Sequence, residues 1–325
     1  MKRSRIALCV VAASWLAPTV ATAEAVKVDA SIPAYQTVSG VAGNLNSIGS
    51  DTLNNLMTLW AEAFRARYPN IRIQIEGKGS STAPPALING TAQVGPMSRA
   101  MKPTEIDAFE KKFGYAPTAY RVAVDALAVY VNKDNPLEKL TLPQVDAIFS
   151  KTRRCGAPAA IEEWSQTGIA GMFAGRRISL YGRNSASGTY GYFKEHALCG
   201  GDFRDDVKEQ PGSASVVQGV TEDTFGIGYS GIGYKTSSVK ALDLATKDGA
   251  PFAKADAEDV YAGKYPLARF LMVYVNQAPG RPLDPLVKEF LRMVLSKEGQ
   301  EVVVKDGYLP LTKTIFEQEH AKLER

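Results

Sequence analysis

The sequence predicts an α/β protein built in two lobes. Strand, glycine-rich turn and helix follow one another repeatedly, the pattern of helices packed on a largely parallel sheet. The 325-residue chain also exceeds the roughly 250–300 residues that one hydrophobic core usually organises, so its elements should divide between two lobes.

The elements follow in order. A polar, loose segment is expected up to about Asn46, after which Leu53, Leu56, Met57, Trp60 and Phe64 recur at helical spacing and stop near Pro69. Ile71, Ile73 and Ile75 alternate with polar residues as a strand does. Gly77-Lys78-Gly79-Ser80-Ser81 breaks that alternation ahead of a short helix around Ala86 to Ile88. The order then repeats, with a strand from Ala92 to Gly95 and a helix from Pro103 to Lys112. Residues 119 to 131 form a long apolar run interrupted by Asp125. Thr141, Leu142 and Pro143 mark a helix start, because proline is tolerated where the backbone N–H has no partner. Ile178 to Tyr181 and Phe270 to Val275 read as strands, Phe225 to Tyr234 as strand and turns, Pro285 to Ser296 as a strong helix, and the charged tail after Thr314 as helical. No internal repeat or low-complexity block is evident.

The N-terminus has the form of a secretory signal over residues 1–23. Lys2, Arg3 and Arg5 precede an apolar run, and Ala21-Thr22-Ala23 offers small residues for cleavage. The apolar run falls short of the roughly 20 residues that span a bilayer. Cys9 follows Leu8 rather than a small residue, so lipidation is not expected. Three of the four units of formal net charge belong to Lys2, Arg3 and Arg5. The remaining chain therefore carries +1, which removes the electrostatic case for a nucleic-acid binder. Export into an oxidising compartment leaves Cys155 and Cys199, an even number expected to form one disulfide. Closing that loop stabilises a fold by about 4 kcal/mol on the chain-entropy model.

Three segments share one design, a hydroxyl-rich turn immediately ahead of a helix: Gly49-Ser50-Asp51-Thr52-Leu53, Gly79-Ser80-Ser81-Thr82 and Ser187-Gly188-Thr189. Helix N-termini carry unsatisfied N–H donors and partial positive charge, which suits an anion. Any one such turn is adequately explained as a helix cap. The third differs, because Arg183 stands four residues before Ser187, just after a strand, and a guanidinium fork pairs with two oxyanion oxygens.

Arg183-x-x-x-Ser187-Gly188-Thr189 resembles the signature of phosphate-binding proteins that serve Pst-type ABC transporters. Gly49 to Leu53 is similar to that family's first loop, Ile75 to Thr82 to its second, and Val124 to Asn135 to its crossover strand and Asp-Asn-Pro turn. Phe225 to Tyr234 and Pro266 to Asn276 extend the likeness over most of the chain. The resemblance implies a type II periplasmic-binding-protein fold with a hinge of two crossover strands. Lobe I is then expected over 24–122 and 268–325, and lobe II over 123–267. It also implies a ligand set of Thr52 and the Leu53 amide, Ser80 with its amide, Arg183, Ser187, and the Gly188 and Thr189 amides, with Ser50, Ser81 and Asn184 as neighbours. The expected partners are inorganic phosphate and an inner-membrane permease. The expected protein is a periplasmic or secreted monomer, cleaved near Ala23, without cofactor, metal or nucleic acid.

One position departs from the family pattern. Where members commonly place an Asp that accepts the proton on phosphate, this chain reads Gly95-Pro96-Met97-Ser98-Arg99. Three substitutes are open: a carboxylate from Asp51 or Asp125, the Ser98 oxygen as acceptor, or Arg99 as a second cation shifting selectivity toward dianions. Each also has a structural reading: Asp51 as a helix cap, Asp125 as a hinge hydrogen bond, Arg99 as a surface salt bridge. The ligand alternatives are therefore other tetrahedral oxyanions such as sulfate and molybdate.

Catalysis has little material. There are two histidines, His196 and His320, and Gly228-Tyr229-Ser230-Gly231-Ile232 lacks the second glycine of a nucleophile elbow. A phosphatase-like enzyme remains the alternative of a different class.

Overall fold

The computed structural model describes residues 26–324. The expected signal at 1–23, with Cys9, lies outside the described residues. Among the described residues no helix is long and apolar enough to cross a membrane.

The strands are β1 (Gly43–Ile48), β2 (Ile71–Glu76), β3 (Val94–Met97), β4 (Thr118–Asn132), β5 (Lys139–Thr141), β6 (Ser179–Arg183), β7 (Lys208–Gln210), β8 (Gly226–Gly231), β9 (Val239–Ala241), β10 (Asp243–Ala245) and β11 (Ala268–Val275). The helices are α1 (Asn54–Arg65), α2 (Ala83–Asn89), α3 (Pro103–Phe113), α4 (Leu142–Phe149), α5 (Gly188–His196), α6 (Ser213–Glu222), α7 (Ala257–Tyr261), α8 (Pro285–Leu295), α9 (Lys297–Lys305) and α10 (Lys313–Leu323).

The expected periodicities have clear physical outcomes. In α1 the residues Leu56, Met57, Trp60, Ala61 and Phe64 are buried, the apolar stripe of an amphipathic helix. In β2 the isoleucines face the core side and the residues between them face solvent. Two expectations are corrected. The segment up to Asn46 is not wholly loose: β1 lies within and beyond it, parallel to β2 and β3, and its polar Gly43-Asn44-Leu45-Asn46-Ser47 sequence hides a strand held by the two neighbours. The strand expected from Ala92 to Gly95 runs instead over Val94–Met97, where it pairs antiparallel with β11.

The main sheet has the order β2-β1-β3-β11-β4-β8-β6-β7, with β9 also on β4. Residues 118–126 of β4 pair with β11, whereas residues 127–131 pair with β8 and 130–132 with β9. One long strand therefore passes from one half of the sheet to the other, changing partner after Ala126. β5 and β10 form a separate parallel pair.

This topology positions the site. β1, β2 and β3 run in one direction, and β6 is parallel to β7 and β8. In open α/β sheets ligands bind outside the carboxyl ends of such strands. The three hydroxyl turns follow β1, β2 and β6, at those carboxyl ends.

Cys155 and Cys199 form the expected disulfide, tying the loop after α4 to the residues after α5. At the start of α8, Asp284 Oδ1 accepts the backbone N–H groups of Leu286 and Val287 at 2.9 and 3.2 Å. Losing such a cap costs about 1 kcal/mol. Asp284→Ala is therefore expected to lower the urea unfolding free energy by that amount, and an unchanged midpoint would count against the capping role.

Candidate functional site

The turns after β1, β2 and β6 meet. Gly79, at φ +119°, lies where a side chain would collide with the Ala186 carbonyl, so only glycine lets the second loop approach the third. Ser81 binds the same carbonyl through its N–H (3.2 Å) and its Oγ (2.8 Å). A Cβ at Gly188 would sit 2.2 Å from Ser80 Oγ and 2.7 Å from Ser98 Oγ. The start of α5 is thus pressed against hydroxyls from the far half of the sheet.

These contacts gather buried hydroxyls into one cluster. Thr52 Oγ1 and Thr189 Oγ1 share a hydrogen bond of 2.9 Å, and Ser50 Oγ donates to Ser98 Oγ at 3.0 Å. Ser98 Oγ lies 3.3 Å from Ser80 Oγ and 3.4 Å from Thr189 Oγ1, while the Ser98 N–H donates to Ser80 Oγ at 3.0 Å. Ser187 is the N-cap of α5, its Oγ accepting from the N–H groups of Thr189 and Tyr190 at 3.1 and 3.3 Å. The amide of Gly188, the first residue of α5, has no acceptor within the helix, as is general for a first turn. The Leu53 N–H reaches the Ser50 carbonyl at 3.3 Å, and Asn184 contributes its carbonyl to the Ser187 N–H at 3.1 Å.

Two arginines contact residues of these turns. Arg183, at the end of β6, is 1% exposed. Its Nη1 donates to Ser213 Oγ (2.7 Å), its Nη2 to the Pro211 carbonyl (3.0 Å), and Nη2 lies 3.1 Å from Asp51 Oδ2. Its Nε is buried without a hydrogen-bond partner among the described residues. Burial pulls this guanidinium below its ordinary pKa, opposed by the charge of Asp51.

The second arginine was not anticipated. Arg269, on β11, donates through Nε and Nη2 to Asp125 Oδ2 at 2.9 and 2.7 Å. Its Nη1 donates to the Ser98 carbonyl (2.9 Å), and its Nη2 also donates to Thr189 Oγ1 (3.0 Å). It therefore ties both halves of the sheet to β4. A signal was present: Arg269, Leu271 and Val273 share one buried strand face, and a cation on such a face needs a partner.

The proposed substitutes for the missing Asp can now be placed. Arg99 is not the second cation of the cluster: its Nη1 and Nη2 bind Glu105 at 2.8 and 2.7 Å, and Nη1 also binds the Ala100 carbonyl. Asp125 is fully buried, with Oδ2 on Arg269 and Oδ1 accepting the Ile232 N–H at 2.9 Å. Asp51 Oδ2 accepts the Ser213 N–H at 2.7 Å beside Arg183. Ser98 lies inside the cluster.

Catalytic groups are not gathered here. Ser230 is buried in β8, with its Oγ donating to the Ser213 carbonyl, and His196 stacks on Tyr192 at the exposed end of α5. Among the described residues no group of three or more His, Cys, Asp or Glu side chains is arranged to hold a metal ion.

Comparison with known proteins identifies the family of the chain. Residues 34–298 match the model of the PBP superfamily domain. The chain is 59% identical over 318 residues to the phosphate-binding protein PstS of Pseudomonas aeruginosa, covering 98% of this chain and 97% of that protein. This chain belongs to the PstS family. The PstS of Bacillus subtilis is 30% identical over 279 residues, with 83% and 82% of the two chains covered. Among solved structures, a phosphate ABC transporter substrate-binding protein with bound phosphate from Clostridium perfringens superposes with a TM-score of 0.70 at 25% identity, over 83% of this chain and all of that one. An ABC-type phosphate transport receptor from Vibrio cholerae shares the fold, with a TM-score of 0.63 at 22% identity, over 82% of this chain and all of that one. The PstS-family chain thus has the type II periplasmic-binding-protein fold, and its named relatives are binding proteins.

Proposed function

We propose that this protein captures inorganic phosphate between two lobes and hands it to the permease of an ABC transporter, as an exported monomer without catalytic activity. The observation that carries the reading is the convergence of Ser50, Thr52, Ser80, Ser98 and Thr189 hydroxyls on one point, flanked by Arg183 and Arg269. The names of the relatives support phosphate as the anion.

Lobe I, over 24–122 and 268–325, supplies Ser50, Thr52, the Leu53 amide, Ser80 and Ser98. Lobe II, over 123–267, supplies Arg183, Ser187, Thr189 and the Gly188 amide. The change of partner along β4 after Ala126 supports a hinge near that boundary. Phosphate oxygens replace the bonds the hydroxyls make with one another, and the free Arg183 Nε supplies a charged donor. A ligand bonded to both lobes favours the closed state by its differential affinity for it. The permease then reads closure.

Calorimetry on ligand-stripped protein tests the ligand. Phosphate and arsenate are expected to bind, with sulfate and molybdate weaker, in a series from mildly acid to mildly alkaline pH. Preferential binding of sulfate or molybdate would transfer the assignment to those anions, consistent with Ser98 standing where the family has a carboxylate. Turnover of a chromogenic phosphoester that Arg183→Ala abolishes would replace the transport reading by an enzyme.

A further inference from the structure

We propose that Asp51 is the latch of the closed state, a lobe I carboxylate that positions Arg183 and caps a lobe II helix, rather than an acceptor for the ligand. The inference rests on the two-lobed reading above.

Helix α6 begins at Ser213, and its N-cap is Gly212, which has no side chain to satisfy the first-turn amides. The missing cap comes from 162 residues away in sequence: Asp51 Oδ2 accepts the Ser213 N–H at 2.7 Å. The carboxylate packs closely against Gly212, where a Cβ would lie 3.1 Å from Asp51 Oδ1. The same Oδ2 is 3.1 Å from Arg183 Nη2. A third tie comes from the Asp51 backbone, whose carbonyl accepts the Tyr234 hydroxyl at 3.0 Å.

Each partner belongs to the far lobe: Ser213, Arg183 and Tyr234. Opening the cleft therefore leaves the Ser213 N–H uncapped and Arg183 without its counter-charge, and closing restores both. A carboxylate at a helix N-terminus is favoured by the helix field and by its charge-assisted bonds. The pairing also fixes the guanidinium. With Nη1 on Ser213 Oγ and Nη2 on Pro211 and Asp51, Nε is left without a partner and can donate to an anion. Asp51 thus acts through Arg183 and through closure, which makes it a positioning residue.

The latch predicts a kinetic signature. Stabilising only the closed state slows ligand escape and leaves encounter with the open state alone. In rapid filtration with radiolabelled phosphate, Asp51→Ala is expected to raise the dissociation rate about tenfold to hundredfold while the association rate changes by less than about threefold. Small-angle scattering at saturating ligand should show a larger radius than wild type. The melting temperature of ligand-free protein should stay the same. Asp51→Glu should recover part of the slow release.

An unchanged dissociation rate overturns the latch. So does a fall in ligand-free melting temperature with closure intact, which would make Asp51 merely structural. A loss of discrimination between phosphate and sulfate at unchanged closure would return Asp51 to the role of proton acceptor. Where sulfate or molybdate rather than phosphate binds the wild-type chain, the same release and scattering measurements are made with that anion, so that failure of the phosphate reading and failure of the latch are separate outcomes.

Discussion

Arg183→Ala is expected to weaken phosphate binding by about 3–5 kcal/mol, a loss of roughly two to four orders of magnitude. The guanidinium is enclosed at the end of β6, and the other donors of the proposed site are neutral hydroxyls and amides apart from Arg269, which is committed to Asp125. Removing it takes away a charge-assisted donor in a medium where such bonds are strong, and it leaves the Asp51 carboxylate without its counter-charge. Two controls separate charge from geometry. Arg183→Lys keeps the charge but not the planar fork, so an intermediate loss is expected. Thr189→Val removes one hydroxyl from the Thr52–Thr189 pair and should cost less than the arginine. Titration calorimetry on ligand-stripped variants that melt like wild type reads all three, and equal affinity in wild type and Arg183→Ala would remove this residue from the site.

What could be read from the sequence divides along a physical line. The amphipathic stripe of α1, the alternating isoleucines of β2 and the proline-marked start of α4 are local patterns, fixed by the period of the element that bears them. The Arg183-to-Thr189 segment was legible for the same reason, since strand, cation, hydroxyl cap and helix follow within one stretch of chain. β1 was hidden because its stability comes from β2 and β3, which arrive later in the sequence, and not from its own side chains. The role of Asp51 was hidden likewise: a lone Asp ahead of α1 looks like a cap for its own helix, yet it caps α6. Arg269 and Asp125 each interrupt an apolar run, and neither alone says that the other is its partner. Only the antiparallel register of β4 and β11, which sets Arg269 opposite Asp125, does so.

That register leads to the second large effect. Arg269→Ala should destabilise the fold by about 3–5 kcal/mol, because among the described residues it leaves the wholly buried Asp125 carboxylate with only the Ile232 N–H for a partner. Replacing both members of the pair tests whether the cost lies in the orphaned charge. Arg269→Met combined with Asp125→Leu removes both charges from the interior, and such exchanges are often close to neutral for stability. The double variant is therefore expected to recover most of the unfolding free energy measured in urea. Phosphate affinity should not recover with it. Arg269 Nη2 fills an acceptor position on Thr189 Oγ1, which turns the threonine hydroxyl proton toward other partners, and Nη1 holds the Ser98 carbonyl. A stable double variant with weakened binding would assign the pair to the site as well as to the hinge strands. A double variant that binds phosphate as wild type does would confine Arg269 to neutralising Asp125, and one that remains as unstable as Arg269→Ala would show that the packing of β4 against β11, not the stranded charge, sets the cost.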